Sequence, residues 1–525
     1  MKNIYIIVLC LWSFCSYGCD DWIELEPEDS LSREIFFNTR DDFSQALTGL
    51  YSILRPTNQD ATNGAYFGNL YWEVCADVCM WKNSWTLPWF DVSRGELSAV
   101  TTGVNIVYQN LYHAIFWANT IKEEMEAKAA SFDKEFVDFV IGQTCFIRAL
   151  CYIRLTSLWG DVPLVDRVYT PSESKLPRKP VAEIMEKLIV PDLELAAHNL
   201  DTVPYNSRLG LATKQSALGL KVRAYLYVQD YENTIKSALD LMELAENTSV
   251  VQFLDNYKDI FSNANENNKE ILFALKYTAG GFSQGSTFNT TFGSKLPGVT
   301  GRNGSWNTIA ILPEFLDSYP FVDGKTLEEG SVSYDPQNKW ANRGARFEST
   351  FYIGDYSILD NGLLYPSGFV ANISKQCAKD YPLSLNKGYM NETEKLEWTQ
   401  EDESDFIILR YTDVLMMYAE AKIMLGQIDE SVYKVLDMVR DRAGIARVAR
   451  GLSKSEMIKI IQDERKWEFA FEGLRYFDIR RWGIADQVIN KITSDEKYDF
   501  GSHKLFLKGK HELWPIPQSA IDSVV

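Results

Sequence analysis

"ALGLKVRAYLYVQDYENTIKSALDLM", residues 217–242, reads as a helix, a short turn holding Asp230, and a second helix. "YAEAKIMLGQIDESVYKVLDMV", residues 418–439, is built the same way. Ala217, Ala224, Ala419 and Ala421 stand where the helices of each pair cross, and small side chains there let backbones approach closely. Outward from these pairs the helical signal continues. Val104, Val107, Tyr108, Leu111, Ile115, Ala118 and Ile121 recur at i, i+3, i+4 and i+7 spacing, the stripe of an amphipathic helix. A second run, Phe136 to Leu158, stops at Gly160 with Pro163 beyond, a helix-end signal. Further helices are predicted over 181–199, 214–229, 232–246, 413–425, 431–443 and 455–472.

Helix pairs of this kind look like tetratricopeptide units, which bury their apolar faces by stacking. Neither echo is a perfect 34-residue repeat. Residues 277–400 differ: they are rich in Gly, Asn, Ser, Thr and Tyr, as in "TAGGFSQGSTFNTTFG" and "LPGVTGRNGSWNT", and lack sustained helical periodicity. The expected fold is mostly α: a tetratricopeptide-type helical-repeat scaffold over about 19–276 and 401–525, with an irregular, loop-rich central insert over about 277–400. Loops on a rigid scaffold are where binding chemistry concentrates.

The N-terminus, MKNIYIIVLCLWSFCSYGCDDW, has one basic residue, Lys2, then an almost uninterrupted apolar run from Ile4 to Tyr17. That run is short for a bilayer span and fits a signal-peptide core over residues 1–18. Gly18 before Cys19 resembles a bacterial lipoprotein lipobox, with Ser16 where leucine is usual. The resemblance implies cleavage before Cys19, lipid attachment there and a mature chain of 19–525 read as a single domain. The pair Asp20-Asp21 resembles the surface-export signal of such lipoproteins. Two or more acyl chains make anchoring stable. No later run of 18 apolar residues is evident, so membrane attachment is expected through the lipid anchor alone.

Lys2 is the sole charge in residues 1–18, so the formal charge of −19 becomes −20 without it. So acidic a chain, with no basic run, is a poor partner for nucleic acid. Outside the export segment stand Cys75, Cys79, Cys145, Cys151 and Cys377, an odd number that forms no disulfide framework. Cys75 and Cys79 could bridge, while Cys145 and Cys151 read as buried thiols. Four scattered histidines and no Cys/His cluster give no metal site, and no cofactor motif is present.

Several segments converge on one family. "GQTCFIRALCYIRLTSLWGDVPLV" (142–165), "RKPVAEIMEKLIVPDLELA" (178–196), "LRYTDVLMMYAEAK" (409–422), "VRDRAGI" (439–445), "ERKWEFAFEGLRYFDIRRWG" (464–483) and "ELWPIPQSAI" (512–521) resemble SusD/RagB-like outer-membrane lipoproteins. The resemblance implies a lipid-anchored protein on the outer membrane, facing the exterior. It implies capture of oligosaccharide or polysaccharide and delivery to a SusC-type TonB-dependent transporter. Some relatives serve peptide import, so fold does not fix the ligand class. A protein-interaction adaptor using the tetratricopeptide grooves is a further alternative.

A hydrolase reading would rest on Glu464, Glu468, Glu472 and Asp478, since paired carboxylates cleave glycosides. Arg465, Lys466, Arg475, Arg480 and Arg481 interleave with them, and the Glu468–Arg475 and Glu472–Arg475 spacings suggest ion pairs. With no nucleophile elbow or phosphate loop either, a binding protein is expected, not an enzyme.

Trp72, Trp81, Trp85 and Trp89 fall within eighteen residues. Their spacing could be a buried helical stripe, but Pro88 breaks helices and Asn83, Ser84 and Thr86 disfavour them. A loop showing Trp81, Trp85 and Trp89 beside Asp77 and Asn83 would suit sugars, whose C–H faces stack on indole while hydroxyls bond polar groups. In the insert, "TGRNGSWNT" (300–308) offers Arg302, Asn303 and Trp306 on a Gly-flanked loop. The resemblance places sugar-contacting aromatics in these two regions without fixing positions.

Overall fold

The computed structural model describes residues 36–55, 70–81, 89–173, 175–278, 285–286, 308–353, 358–360, 363–365, 383–387, 403–492 and 504–523. The chain divides into two compact units, Met1–Ala46 and Leu47–Val525. In the first, the Thr39 hydroxyl accepts from the Asp42 amide while the Asp42 carboxylate accepts from the Thr39 amide. This reciprocal cap starts helix α1 (Arg40–Ile53).

The second unit starts within α1, at Leu47, and continues with a short helix α2 (Leu70–Glu73), strand β1 (Cys79–Trp81) and helix α3 (Trp89–Arg94). The long helices follow: α4 (Thr102–Lys128), α5 (Lys134–Trp159), α6 (Val190–Asn199), α7 (Lys214–Tyr227) and α8 (Tyr231–Asn247). Each packs on the next. Asp133 caps α5 by accepting from the Phe136 amide, and Gly160, at φ 68°, ends it in a conformation other residues adopt at a cost. The predicted helix 181–199 contains Pro191, which has no N–H to give. The chain absorbs this with a π-helical turn over Met185–Ile189 before α6.

α8 then packs directly on α9 (Tyr411–Met424), which packs on both α10 (Glu430–Ala443) and α11 (Lys454–Glu468). The two helix pairs that echo each other in sequence are therefore stacked neighbours. α9 is buried on every side from Tyr411 to Ile423, so apolar residues face all round it and its buried carboxylates, Asp413 and Glu420, are paired with arginines. The fold is mostly helical and tetratricopeptide-like, as its sequence predicts.

Buried ion pairs rivet the stack. Arg148 on α5 reaches Asp192 through two bonds of 2.7 Å and Asn119 on α4 at 2.6 Å, so one side chain joins three elements. Asp413 on α9 receives Arg223 from α7 at 2.7 Å and Arg465 from α11 at 2.9 Å. Strand β2 (Ile271–Leu275) pairs antiparallel with β4 (Phe406–Arg410), Phe406 opposite Leu275, so the insert leaves and returns at one end of this ladder. Strand β3 (Ile309–Ile311) lies inside the insert.

Two expectations need correction. α5 is long and apolar enough to cross a membrane by composition, contrary to the expectation that no later run would be; its apolar window is 83% buried by its neighbours, as in a core helix. The helix expected over 455–472 stops at Glu468. Beyond it Phe471 and Gly473 take left-handed φ values of 64° and 78°, and helix α12 (Arg475–Arg481) starts afresh.

Candidate functional site

The two segments that sequence reading singled out lie more than 200 residues apart, and a short ladder joins their ends. β1 pairs antiparallel with β3: Cys79 opposite Ile311, Met80 opposite Ala310, Trp81 opposite Ile309. Segment 82–88 starts where β1 ends, and segment 301–307 runs into Thr308 and the start of β3. The ladder thus holds one end of each together. The far end of 82–88 is fixed at Trp89, the first residue of α3.

Trp81 and Trp89 themselves are not displayed, which corrects their expected role as ligand contacts. They are 2% and 0% exposed. Tyr71 stacks on Trp81 at 5.9 Å between ring centroids and tilts against Trp89 at 5.0 Å. Trp72 meets Trp89 edge-on at 5.4 Å and Trp514 at 5.5 Å. Flanking aromatics supply the core in which both indoles are buried. Asn83, Trp85, Arg302, Asn303 and Trp306 lie outside the described residues, as does the lipid-attachment candidate Cys19. Among described aromatics, Phe116 and Trp117 on α4 stand open to solvent, Trp117 donating its indole N–H to His113 Nε2 at 2.9 Å.

Asp77 is also corrected. Its carboxylate is gripped by Arg475 through Nε at 2.8 Å and Nη2 at 2.9 Å, so it orders the protein and is not left for a ligand. Burial would raise its pKa, but the guanidinium's field and hydrogen bonds bring it down to about 2. Lys504, missed by the sequence reading, donates to the carbonyls of Val74, Ala76 and Cys79. Burial lowers its ammonium to about 8. Glu73 accepts from the Gly473 amide at 2.7 Å. Three long-range clamps thus fix the chain leading into β1. No local sequence signal announces them, because each partner lies about 400 residues away. Cys75 and Cys79 are buried free thiols, unbridged.

The acidic run from Glu464 pairs as expected in kind, with different partners. Glu468 is reached by Arg410 at 3.0 Å, Arg442 at 2.7 Å and Arg346 at 2.9 Å. Glu472 is reached by Arg410 at 2.8 Å and Lys387 at 2.6 Å. Arg475 goes to Asp77 instead, because the helix breaks at Glu468 and the anticipated helix-face spacings never form. Burial would raise the Glu468 pKa, but three guanidinium groups hold it well below the usual range. A carboxylate so held is a poor general acid.

Stacked helix pairs, with the ends of two tryptophan-bearing segments joined by a ladder, define a tetratricopeptide-type helical scaffold. A family model described as the SusD family matches residues 269–524, and another, "Starch-binding associating with outer membrane", matches 21–226. The chain belongs to the SusD/RagB-like family. It is similar to SusD-like protein P25 of Formosa agariphila, 26% identical over 98% of this chain and 96% of that protein. Among solved structures it is similar to a SusD-like carbohydrate binding protein from Bacteroides fragilis, with TM-score 0.79 and 23% identity over 93% of this chain and 99% of that one. A laminarin binding SusD-like protein matches with TM-score 0.68 and 20% identity over 92% and 97% of the two chains.

Proposed function

We propose that this chain is a surface lipoprotein of the outer membrane that binds glycans without cleaving them and passes oligosaccharides to a SusC-type TonB-dependent transporter. The observation that carries the reading is the β1–β3 ladder, which joins the ends of the two aromatic-bearing segments on a scaffold of carbohydrate-binding relatives. In this reading Trp85 and Trp306 supply stacking faces, and Asn83, Arg302 and Asn303 bond hydroxyl groups. Cys19 carries the lipid. The family description, naming starch binding and outer-membrane association, supports the location and ligand class.

A ring burying about 100 Å² contributes roughly 2.5 kcal/mol at ~25 cal/mol/Å². Two such rings give about 5 kcal/mol, and association costs of at least ~4 kcal/mol leave about 1 kcal/mol. Hydrogen bonds to hydroxyl groups must therefore supply about 3 kcal/mol more to reach millimolar capture. Native affinity gels cast with a panel of polysaccharides test the reading. Retardation by at least one polysaccharide is expected. Free migration in all of them, with peptide binding by calorimetry, would move the assignment to peptide capture. Release of reducing sugar by the purified protein would contradict the non-catalytic reading.

A further inference from the structure

Loop 200–212, between α6 and α7, arches over one face of α5 and is tied to it three times. Leu200 lies against Gly142, where an added Cβ would meet the leucine at 2.6 Å. The Tyr205 ring stacks on Phe139 at 4.1 Å and 16°. Gln143 donates to the Ala212 carbonyl at 2.8 Å and accepts from its amide at 3.1 Å. Positions 139, 142 and 143 share a helix face, so the three ties act together. Next to Tyr205, Asn206 and Ser207 hold left-handed φ values of 50° and 57°. Non-glycine residues keep that conformation where surroundings enforce it, and such sites cluster where ligands bind.

The loop borders a cavity of about 330 Å³ between the start of α5 and the end of α6. That is the small end of ligand-site volumes. Phe139 and Tyr205 form an aromatic wall, and the lining also holds the Lys134–Asp138 ion pair and, among its other polar residues, Glu135, His198, Asn199 and Asp201. Within the described residues the side chains of these four form no hydrogen bond or ion pair. We propose that this cavity is a second carbohydrate subsite that seats one pyranose ring. The ring wall offers a face to C–H groups, while idle carboxylate, amide and imidazole groups provide the donors and acceptors that hydroxyls need. An anion would meet Glu135 and Asp201, the lysine on the lining, Lys134, being paired with Asp138, and a purely apolar ligand would dehydrate both free carboxylates without replacing their hydrogen bonds.

Because this proposal rests on the glycan reading, its test separates the two. Amide exchange over 198–212 is followed in the intact chain with millimolar maltose, cellobiose, laminaribiose or N-acetylchitobiose, alongside the polysaccharide gels. At least one disaccharide is expected to protect the loop, with affinity falling about tenfold in Tyr205→Ala and in the near-isosteric Asp201→Asn. Should Tyr205→Ala fail to fold, Asp201→Asn decides alone. Gel retardation without protection of 198–212 overturns the subsite and leaves the family reading standing. Protection that neither variant weakens also overturns it. Failure of both retardation and protection sinks both.

Discussion

Glu73 and Glu468 are both 0% exposed, and their surroundings treat them in opposite ways. Glu468 sits where α10, α11, β4 and the insert meet, inside a ring of guanidinium groups that keeps it ionised. Glu73 sits beside the aromatic cluster behind β1, where burial raises its carboxyl to about 8 despite the Gly473 amide and the more distant Lys387 and Arg475 charges. The contrast separates two ways of fixing a loop base. Charges with matching partners specify which elements meet around Glu468, whereas behind β1 packed indoles add apolar burial to the Asp77–Arg475 and Lys504 clamps.

The largest expected effect comes from emptying the charged side. Arg410 is shared by Glu270, Glu468 and Glu472, at 3.0, 3.0 and 2.8 Å. Arg410→Met strands buried carboxylates and is expected to destabilise by about 4–5 kcal/mol, read as a lowered urea midpoint. A loss under about 1 kcal/mol would mean the network is dispensable and the contrast false.

On the aromatic side, Trp89→Ala removes a fully buried indole and is expected to cost about 3–4 kcal/mol. Near-normal stability with lost glycan retardation would instead return Trp89 to the ligand surface where sequence reading had put it.

Glu73 tests the same boundary by pH. Its carboxyl is raised from 4.5 to about 8, so the folded state binds the proton more tightly than the unfolded chain. The stability this gives is fully present below about pH 4.5 and is lost as pH rises toward 8. Its Oε2 makes no hydrogen bond among the described residues. Glu73→Gln keeps the shape without the titration and is expected to be more stable at neutral pH by about 1–2 kcal/mol, with a flatter pH profile. Thermal unfolding between pH 5 and 8 reads the difference in slope, and parallel curves would show that Glu73 stays ionised.

What was legible in the sequence follows from the range of the forces involved. Helix periodicity, Gly160 and the paired echoes are local signals, and each became a helix, a helix end or a stacked pair. The π-helical turn before α6 was foreshadowed by Pro191, whose missing donor the reading passed over. Long-range partners were not legible. Arg475 could be matched to nearby glutamates by spacing, but Asp77 is almost 400 residues earlier, and Lys504 gave no local pattern. Trp81 and Trp89 are packed by Tyr71 and Trp72, and Trp72 is in turn packed by Phe477 and Trp514 from about 400 residues further along the chain. Aromatic loops and aromatic cores share a composition, so composition could not divide the four indoles.

The smallest stability effect, and the sharpest division between core and display, belongs to the indoles flanked by these anchors. If Trp85 and Trp306 serve glycan, Trp85→Ala and Trp306→Ala each shift stability by no more than about 0.5 kcal/mol, as for surface positions. Each should weaken polysaccharide retardation about tenfold or more, since a lost stacking face forfeits both its buried area and its ring geometry. The double variant should approach free migration, because ladder β1–β3 brings one end of each segment together and the two rings would share one ligand. A cost like that expected for Trp89→Ala would place these indoles in the core with Trp72, and the glycan-contacting surface would have to be sought on other aromatics, beginning with Phe116 and Trp117.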